Sequence, residues 1–334
     1  MSERKLASIQ KIGNIEAIAG ADAIVRAGVL GWQVVIRKDE FQSGDLCVYC
    51  EIDSLLPDKP EFEFLKPRGM RIRTVRLRGQ ISQGICFPLS VLPEGIEALE
   101  GLDVTKILGV VKYEPPIPAS LAGQVKGPFP GFIPKTDETR VQVLQPVLDT
   151  FAGTPCYVTE KLDGSSVTYY LHDGEFNVCS RNLNLLDDGR NSLWKVARTL
   201  EIEAKLRSLG WNACLQGEII GEGIQGNKYK LKGQSVRFFS LFDIDAYRFL
   251  DFAEFTTRLA ALDLPTVPVL ETDYRLEAEI PALVAKSVGK SVLNPELQRE
   301  GIVIRPLSEQ ITALESLGRV SFKAINPEFL LKYE

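Results

Sequence analysis

The chain has 334 residues, 45% of them hydrophobic and 25% charged, with a formal net charge of −5 at pH 7. At roughly 150 residues per domain this length predicts about two domains, each able to bury a core without disulfides or a structural metal. The balance excludes a disordered or fibrous chain, and the net negative charge excludes a whole-chain field for nucleic acid, leaving only local basic patches. No run of about 18 apolar residues occurs, so no membrane-spanning helix is expected. No apolar stretch follows the charged start Met1-Ser2-Glu3-Arg4-Lys5, so no secretory signal is expected, and the expected location is the cytoplasm.

Residues 1–111 read as short strands punctuated by glycine. Segments 28–36, 44–49, 71–78 and 84–89 are the clearest, and their spacing predicts a small β-barrel of OB-like type. Cys47 and Cys50 have metal-like spacing but no second pair and no nearby histidine. On a strand, residues three apart face opposite ways, so they are expected in the core. Residues 112–134 carry Pro115, Pro116, Pro118, Pro128, Pro130 and Pro134 among glycines and read as a linker.

From 135 to 334 the pattern is mixed α/β. Strands over 165–171 and 175–180 flank Asp173-Gly174, a hairpin turn. An amphipathic helix is expected over 191–208, an apolar strand over 238–244, and further helices over 252–262 and 280–288. The single histidine, His172, adjoins the turn, so histidine triads and multi-histidine metal sites are not expected.

The sharpest chemical signal is Glu160-Lys161-Leu162-Asp163-Gly164-Ser165. A Lys-x-Asp-Gly turn between strands can present an amine at a pocket wall, with glycine letting a phosphate approach the backbone. Such a lysine attacks only once its surroundings deprotonate it. Downstream lie Ser180-Arg181-Asn182, Gly217-Glu218-Ile219-Ile220-Gly221, the aromatic run around Phe239 and Phe242, Glu300-Gly301-Ile302-Val303-Ile304-Arg305, and Ser321-Phe322-Lys323. An acid at the end of an apolar strand is costly unless it meets a cation, a hydroxyl or metal-bound water. One lysine, two strand-borne glutamates, an aromatic strand and a final lysine suit nucleotidyl transfer.

In order and spacing these segments resemble the motifs of the covalent nucleotidyltransferase superfamily. An OB-like module followed by that domain, together with Pro134-Lys135-Thr136-Asp137-Glu138, resembles the Deinococcus-type RNA ligases. The resemblance implies an α+β chain: a small OB-like barrel, then a mixed α/β, ATP-grasp-like adenylation domain of antiparallel sheets and helices over 135–334. It implies ATP as AMP donor and Lys161 as the nucleophile that becomes the lysyl-adenylate. Glu160, Arg181, Glu218, Phe239 and Lys323 would contact the nucleotide. Phe239 or Phe242 would pack on adenine, with Phe239 favoured. Asp163, Glu218 and Glu300 would hold Mg²⁺ or Mn²⁺ through water, a hard-oxygen set that suits these ions better than zinc. Ser321 stands where the superfamily often has a first lysine, so Lys135 or Lys332 is expected to compensate.

The N-terminal module places Lys66, Arg68, Arg71, Arg73, Arg76 and Arg78 within thirteen residues, with no acid between Phe64 and Leu89. This pattern suits a phosphate-tracking face with Phe62, Phe64 and Trp32 nearby, though charges also protect sheet edges. The expected partner is RNA, or an RNA/DNA duplex, carrying a nick with 3′-OH and 5′-phosphate ends. The enzyme is expected to work as a monomer in RNA repair. Alternatives are a capping-type guanylyltransferase and a non-catalytic OB nucleic-acid-binding protein. Capping enzymes carry a further domain after the last motif, whereas this chain ends eleven residues beyond Lys323.

Overall fold

The computed structural model describes residues 4–113 and 124–333. They fall into two compact units, residues 4–113 with 327–333, and residues 124–326. Among the described residues, no helix is long and apolar enough to cross a membrane.

The first unit holds β1 (Ala7–Lys11), β2 (Ile15–Ala17), β3 (Ile24–Val29), β4 (Trp32–Arg37), β5 (Leu46–Cys50), β6 (Ser54–Leu55), β7 (Val75–Leu77), β8 (Gln80–Ser82), β9 (Ile85–Phe87) and β10 (Val111–Lys112). Strands β1-β5-β9 and β2-β3-β4 form two antiparallel sheets. Backbone bonds near the end of β1 tie them together, with the Gly13 amide donating to the Gly28 carbonyl at 2.7 Å. Alternation along Trp32–Arg37 buries Trp32, Val34 and Ile36. Expected strand 28–36 is in fact a hairpin: Leu30, at φ 52, turns the chain between β3 and β4. Expected strand 71–78 is shorter too, because Arg78-Gly79 (φ 48 and 83) closes the tight β7–β8 hairpin. Cys47 and Cys50 are buried free thiols on β5. A short helix, α1 (Thr105–Leu108), precedes β10, and α2 (Pro327–Tyr333) returns the chain to this unit.

The second unit holds β11 (Val125–Pro128), β12 (Thr139–Arg140), β13 (Pro155–Lys161), β14 (Ser165–His172), β15 (Glu175–Cys179), β16 (Leu183–Leu185), β17 (Ala213–Gly221), β18 (Gln234–Asp243), β19 (Arg248–Phe249), β20 (Val269–Arg275), β21 (Gly301–Pro306), β22 (Ile311–Thr312), β23 (Gly318–Arg319) and β24 (Phe322–Ile325). One sheet runs β11-β16-β15-β14-β17-β18-β19, the other β12-β24-β21-β13-β20. The first is antiparallel throughout, while the second has one parallel pair, β12 with β24. Helices 192–199, 202–208 and 252–261 cover one face of the larger sheet through Val196, Leu206, Phe255 and Leu259. Helices 145–151 and 280–287 cover the smaller sheet through Val147, Leu148, Ile280 and Leu283.

Two expectations change here. Segment 124–134, expected to be linker, supplies β11, which pairs with β16 in the larger sheet; residues 114–123 lie outside the described residues. The single helix expected over 191–208 is two helices, 192–199 and 202–208, broken at Glu201 with φ 53. After the break, Ile202 and Leu206 are buried and Ala204 is exposed.

Candidate active site

Strand β13 belongs to the smaller sheet and β14 to the larger, so Leu162-Asp163-Gly164 is the crossover between them. Register places the acids around that crossover. Lys161 pairs with Gly301, putting Glu300 beside it, and Ser166 pairs with Glu218. The Gly164 amide donates to Glu218 Oε1 at 3.0 Å, and the Asp163 amide donates to the Tyr229 hydroxyl at 2.7 Å. Gly164 itself is required by close approach: a Cβ there would lie 2.3 Å from the Ile219 carbonyl oxygen. The backbone it admits is that of β17, not the phosphate envisaged from sequence.

Lys161 Nζ donates to both Glu300 oxygens, at 2.6 and 2.7 Å. Burial pulls the ammonium's pKa down, but Glu300, Glu218 and Asp163 outweigh it and hold the pKa above its ordinary value. Burial pushes the Glu218 carboxyl up to about 8, against the pull of Lys161. Glu300 is raised by burial as well, with Lys161 and Lys323 opposing. Asp163 is ion-paired with Lys228.

Glu218 and Glu300 are raised chiefly because burial strips a charged carboxylate of its solvation. The pocket's donors are all carboxylate oxygens, so it fits a hard divalent ion. Among the described residues, no three His, Cys, Asp or Glu side chains converge to grip an ion directly, so Asp163, Glu218 and Glu300 would act on an ion through its waters.

Beside the turn, Leu162, Ile220, Tyr229, Val267 and Leu297 form an apolar floor against which Phe239 packs half-buried. Phe242 lies elsewhere, fully buried against Phe249 and Tyr247, and this separates the two candidates for the base. Glu160 is buried, with Oε2 accepting from the Val292 amide at 2.8 Å and Oε1 making no hydrogen bond. Burial raises its carboxyl above the ordinary value. Arg181 is exposed and ion-paired with Asp137. Lys323 lies on β24 opposite Val303, within electrostatic reach of Glu300.

Sequence reading assigned no role to four contributors: Lys228, Tyr229, Glu138 and Arg305. Lys228 and Tyr229 follow β17 on a loop whose only signal was its lysine content. Glu138 and Arg305 form a buried pair at 2.7 Å that Ser321 completes, its hydroxyl accepting from Arg305 Nε at 2.7 Å and donating to Glu138 Oε1 at 2.8 Å. Arg305 Nη1 also donates to the Phe239 carbonyl at 2.7 Å. Ser321 is thus committed to this network. Of the two lysines expected to compensate, Lys135 donates to Asn182 at 3.1 Å, and Lys332 belongs to the first unit. The cation beside Asp163 is Lys228.

The expected nucleic-acid face is uneven. Arg71 bonds Asp53 at 2.8 Å and stacks 4.0 Å over the Tyr113 ring, and Arg76 bonds Glu328 at 2.6 Å. Phe62 and Trp32 are core residues, whereas Phe64 is 58% exposed. Arg68, Arg73 and Arg78 are exposed.

Residues 154–325 match the RNA ligase family, and residues 6–89 match an OB-fold domain. No curated protein sequence matches the chain. Among solved structures, a mutant of Naegleria gruberi RNA ligase with ATP and Mn is 42% identical, with TM-score 0.90 over 98% of this chain and 99% of that one. A mutant of the same ligase with AMP and Mn gives the same identity, score and coverage. The ligase with pyrophosphate is 42% identical, with TM-score 0.90 over 99% of each chain.

Proposed function

The chain belongs to the RNA ligase family, and from that premise we propose that it seals 3′-OH/5′-phosphate nicks in duplexes, in the manner of the Deinococcus-type enzymes. The observation that carries the reading is the bidentate Lys161–Glu300 pair at the crossover turn, with Asp163 and Glu218 around it. The Naegleria ligase solved with ATP, AMP and Mn supports ATP and a divalent ion as the partners of this pocket.

The reaction asks the protein to position groups and stabilise charge. Lys161 Nζ attacks the α-phosphorus of ATP, a P–N bond forms, and pyrophosphate leaves. The AMP then passes to an RNA 5′-phosphate, releasing Lys161. Attack of the 3′-OH on that activated end forms the phosphodiester and frees AMP. Before the first step Lys161 must leave Glu300 and shed its proton. Asp163, Glu218 and Glu300 would hold a divalent ion through its waters, and its positive charge would favour the free amine of Lys161. Phe239 offers the base a face, and Lys323 supplies a cation near Glu300. Glu160 Oε1, buried without a donor, fits the six-amino group of adenine, whereas guanine presents a carbonyl oxygen at that position.

For the polynucleotide, Arg68 and Arg78 with Phe64 are the contacts we favour. The six cysteines are all buried free thiols, which fits a reducing cytoplasm. A monomer suffices, because every catalytic group named here lies in one unit of one chain. The test is incubation with α-labelled ATP and Mn²⁺ followed by a denaturing gel. Label is expected on the wild type, absent from Lys161→Ala, and discharged by nicked duplex with an RNA 3′-OH. Label from GTP alone, or substantial label on Lys161→Ala, would overturn the reading.

A further inference from the structure

The pocket holds a second lysine–carboxylate pair that the reaction above does not use. Lys228 Nζ sits on Asp163 Oδ2, and the two side chains are only 19% and 17% exposed. Screening by salt is weak for a pair so enclosed.

The loop is built to deliver this lysine. Asn227 ties it with two bonds, donating to the Leu231 carbonyl at 2.9 Å and accepting from the Leu231 amide at 3.1 Å. Asn294 donates to the Lys228 carbonyl at 3.3 Å, and Lys228 Nζ also donates to the Gln225 carbonyl at 3.1 Å. Next along the chain, buried Tyr229 accepts from the Asp163 amide. Gln225, Asn227 and Lys230 all sit at positive φ, 44°, 47° and 56°. Non-glycine residues hold that conformation only when the surroundings impose it, and such strain concentrates at functional positions.

We propose that Lys228 is a positioning residue that acts through Asp163. It is the built-in counter-ion of the metal-free pocket, and a divalent ion must displace it. This rests on the reading of Asp163 as a holder of metal-bound water. The ion and the Lys228 ammonium both draw on the single negative charge of Asp163, and two cations held against one enclosed carboxylate repel each other, so they compete. Arrival of the ion thereby frees two ammonium groups, Lys161 from Glu300 and Lys228 from Asp163. Until then, Glu300 and Asp163 stay paired with Lys161 and Lys228. Lys228 sets the ion concentration at which that exchange occurs.

The test is a Mn²⁺ titration of the full chain without nucleotide, followed by the electron paramagnetic resonance signal of free Mn²⁺. Lys228→Met is expected to bind Mn²⁺ about tenfold more tightly than wild type, the scale of one neighbouring charge removed from a partly buried site. Adding Asp163→Asn should abolish that gain, and Lys228→Arg should stay within about twofold of wild type because the charge is kept. Lys228→Gln repeats the experiment if the Met variant does not fold. Affinity equal to or weaker than wild type in a folded Lys228→Met or Lys228→Gln variant overturns the proposal. Wild-type protein that forms no covalent adenylate would instead overturn the ligase reading, so the two failures are told apart.

Discussion

At the scale of single residues, the crossover turn has no slack. The atoms nearest a Cβ on Gly164 are the Ile219 carbonyl oxygen at 2.3 Å, Ile220 Cγ2 at 2.8 Å and Glu218 Cγ at 2.9 Å. The first is backbone of the neighbouring strand, so the turn, and not a flexible side chain, must move. Gly164→Ala should therefore cost about 1–3 kcal/mol, the range for overpacking a tight site. It should cost more in chemistry, because Lys161 and Glu218 are placed by the same register, and a misplacement of about 1 Å can lose ~10²-fold in rate. A urea melt with a single-turnover adenylylation assay checks both, and a folded variant adenylylated at the wild-type rate would contradict the argument. Lys-x-Asp-Gly was legible in the sequence as a motif. The reason for its glycine was not, because that reason is a strand more than 50 residues downstream.

At the scale of elements, what could be read in advance was what is local. The hairpin at Asp173-Gly174 follows from turn chemistry, with φ values of 49 and 78 matching a type I′ turn. The helices at 252–261 and 280–287 follow from periodicity. What could not be read was register: Glu300 reaches Lys161 across 139 residues because β13 pairs with β21. The same pairing hides the Glu138–Arg305–Ser321 network, which joins the approach to β12, strand β21, the approach to β24 and, through the Phe239 carbonyl, β18. Burial would raise the Glu138 carboxyl, but Arg305 and Arg319, with hydrogen bonds from Arg305 and Ser321, hold it below its ordinary 4.5. A depressed folded value means the pair's stabilisation is present above the unfolded value and lost as pH falls through the folded one. Glu138→Ala, which leaves Arg305 buried and unpaired, should cost about 3–5 kcal/mol at pH 7. Glu138→Gln should also be less stable than wild type at pH 7, with the gap closing as pH drops below about 4.5. Denaturant melts across pH measure this, and a gap that stays constant down to pH 3 would refute the assignment.

At the scale of the whole molecule, the chain divides its tasks: every group proposed for nucleotide chemistry lies in residues 124–326, and the basic run lies in the first unit. In sequence that run looked like a single positive face, because charge is visible there and partners are not. Asp53 and Glu328 lie outside the acid-free window, and both turn inward to meet it. Arg71, enclosed between Asp53 and the Tyr113 ring, is therefore expected to act structurally, while Arg68 and Arg78 stand exposed. Phosphate contacts release counterions, so each lost contact weakens binding and flattens its salt dependence, by about 0.9 per phosphate on duplex. Replacing Arg68 and Arg78 together by Ala should weaken binding of a nicked duplex and reduce the slope of log K against log salt by about 1–2, while adenylylation of Lys161 stays at the wild-type rate. Arg71→Ala should instead lower the melting temperature of the first unit and leave that slope unchanged. Fluorescence anisotropy between 50 and 200 mM salt separates the two. Should Arg71→Ala flatten the slope and the Arg68/Arg78 pair leave it intact, the exposed arginines would be solvated edge charges, and the RNA-binding face would lie elsewhere on the chain.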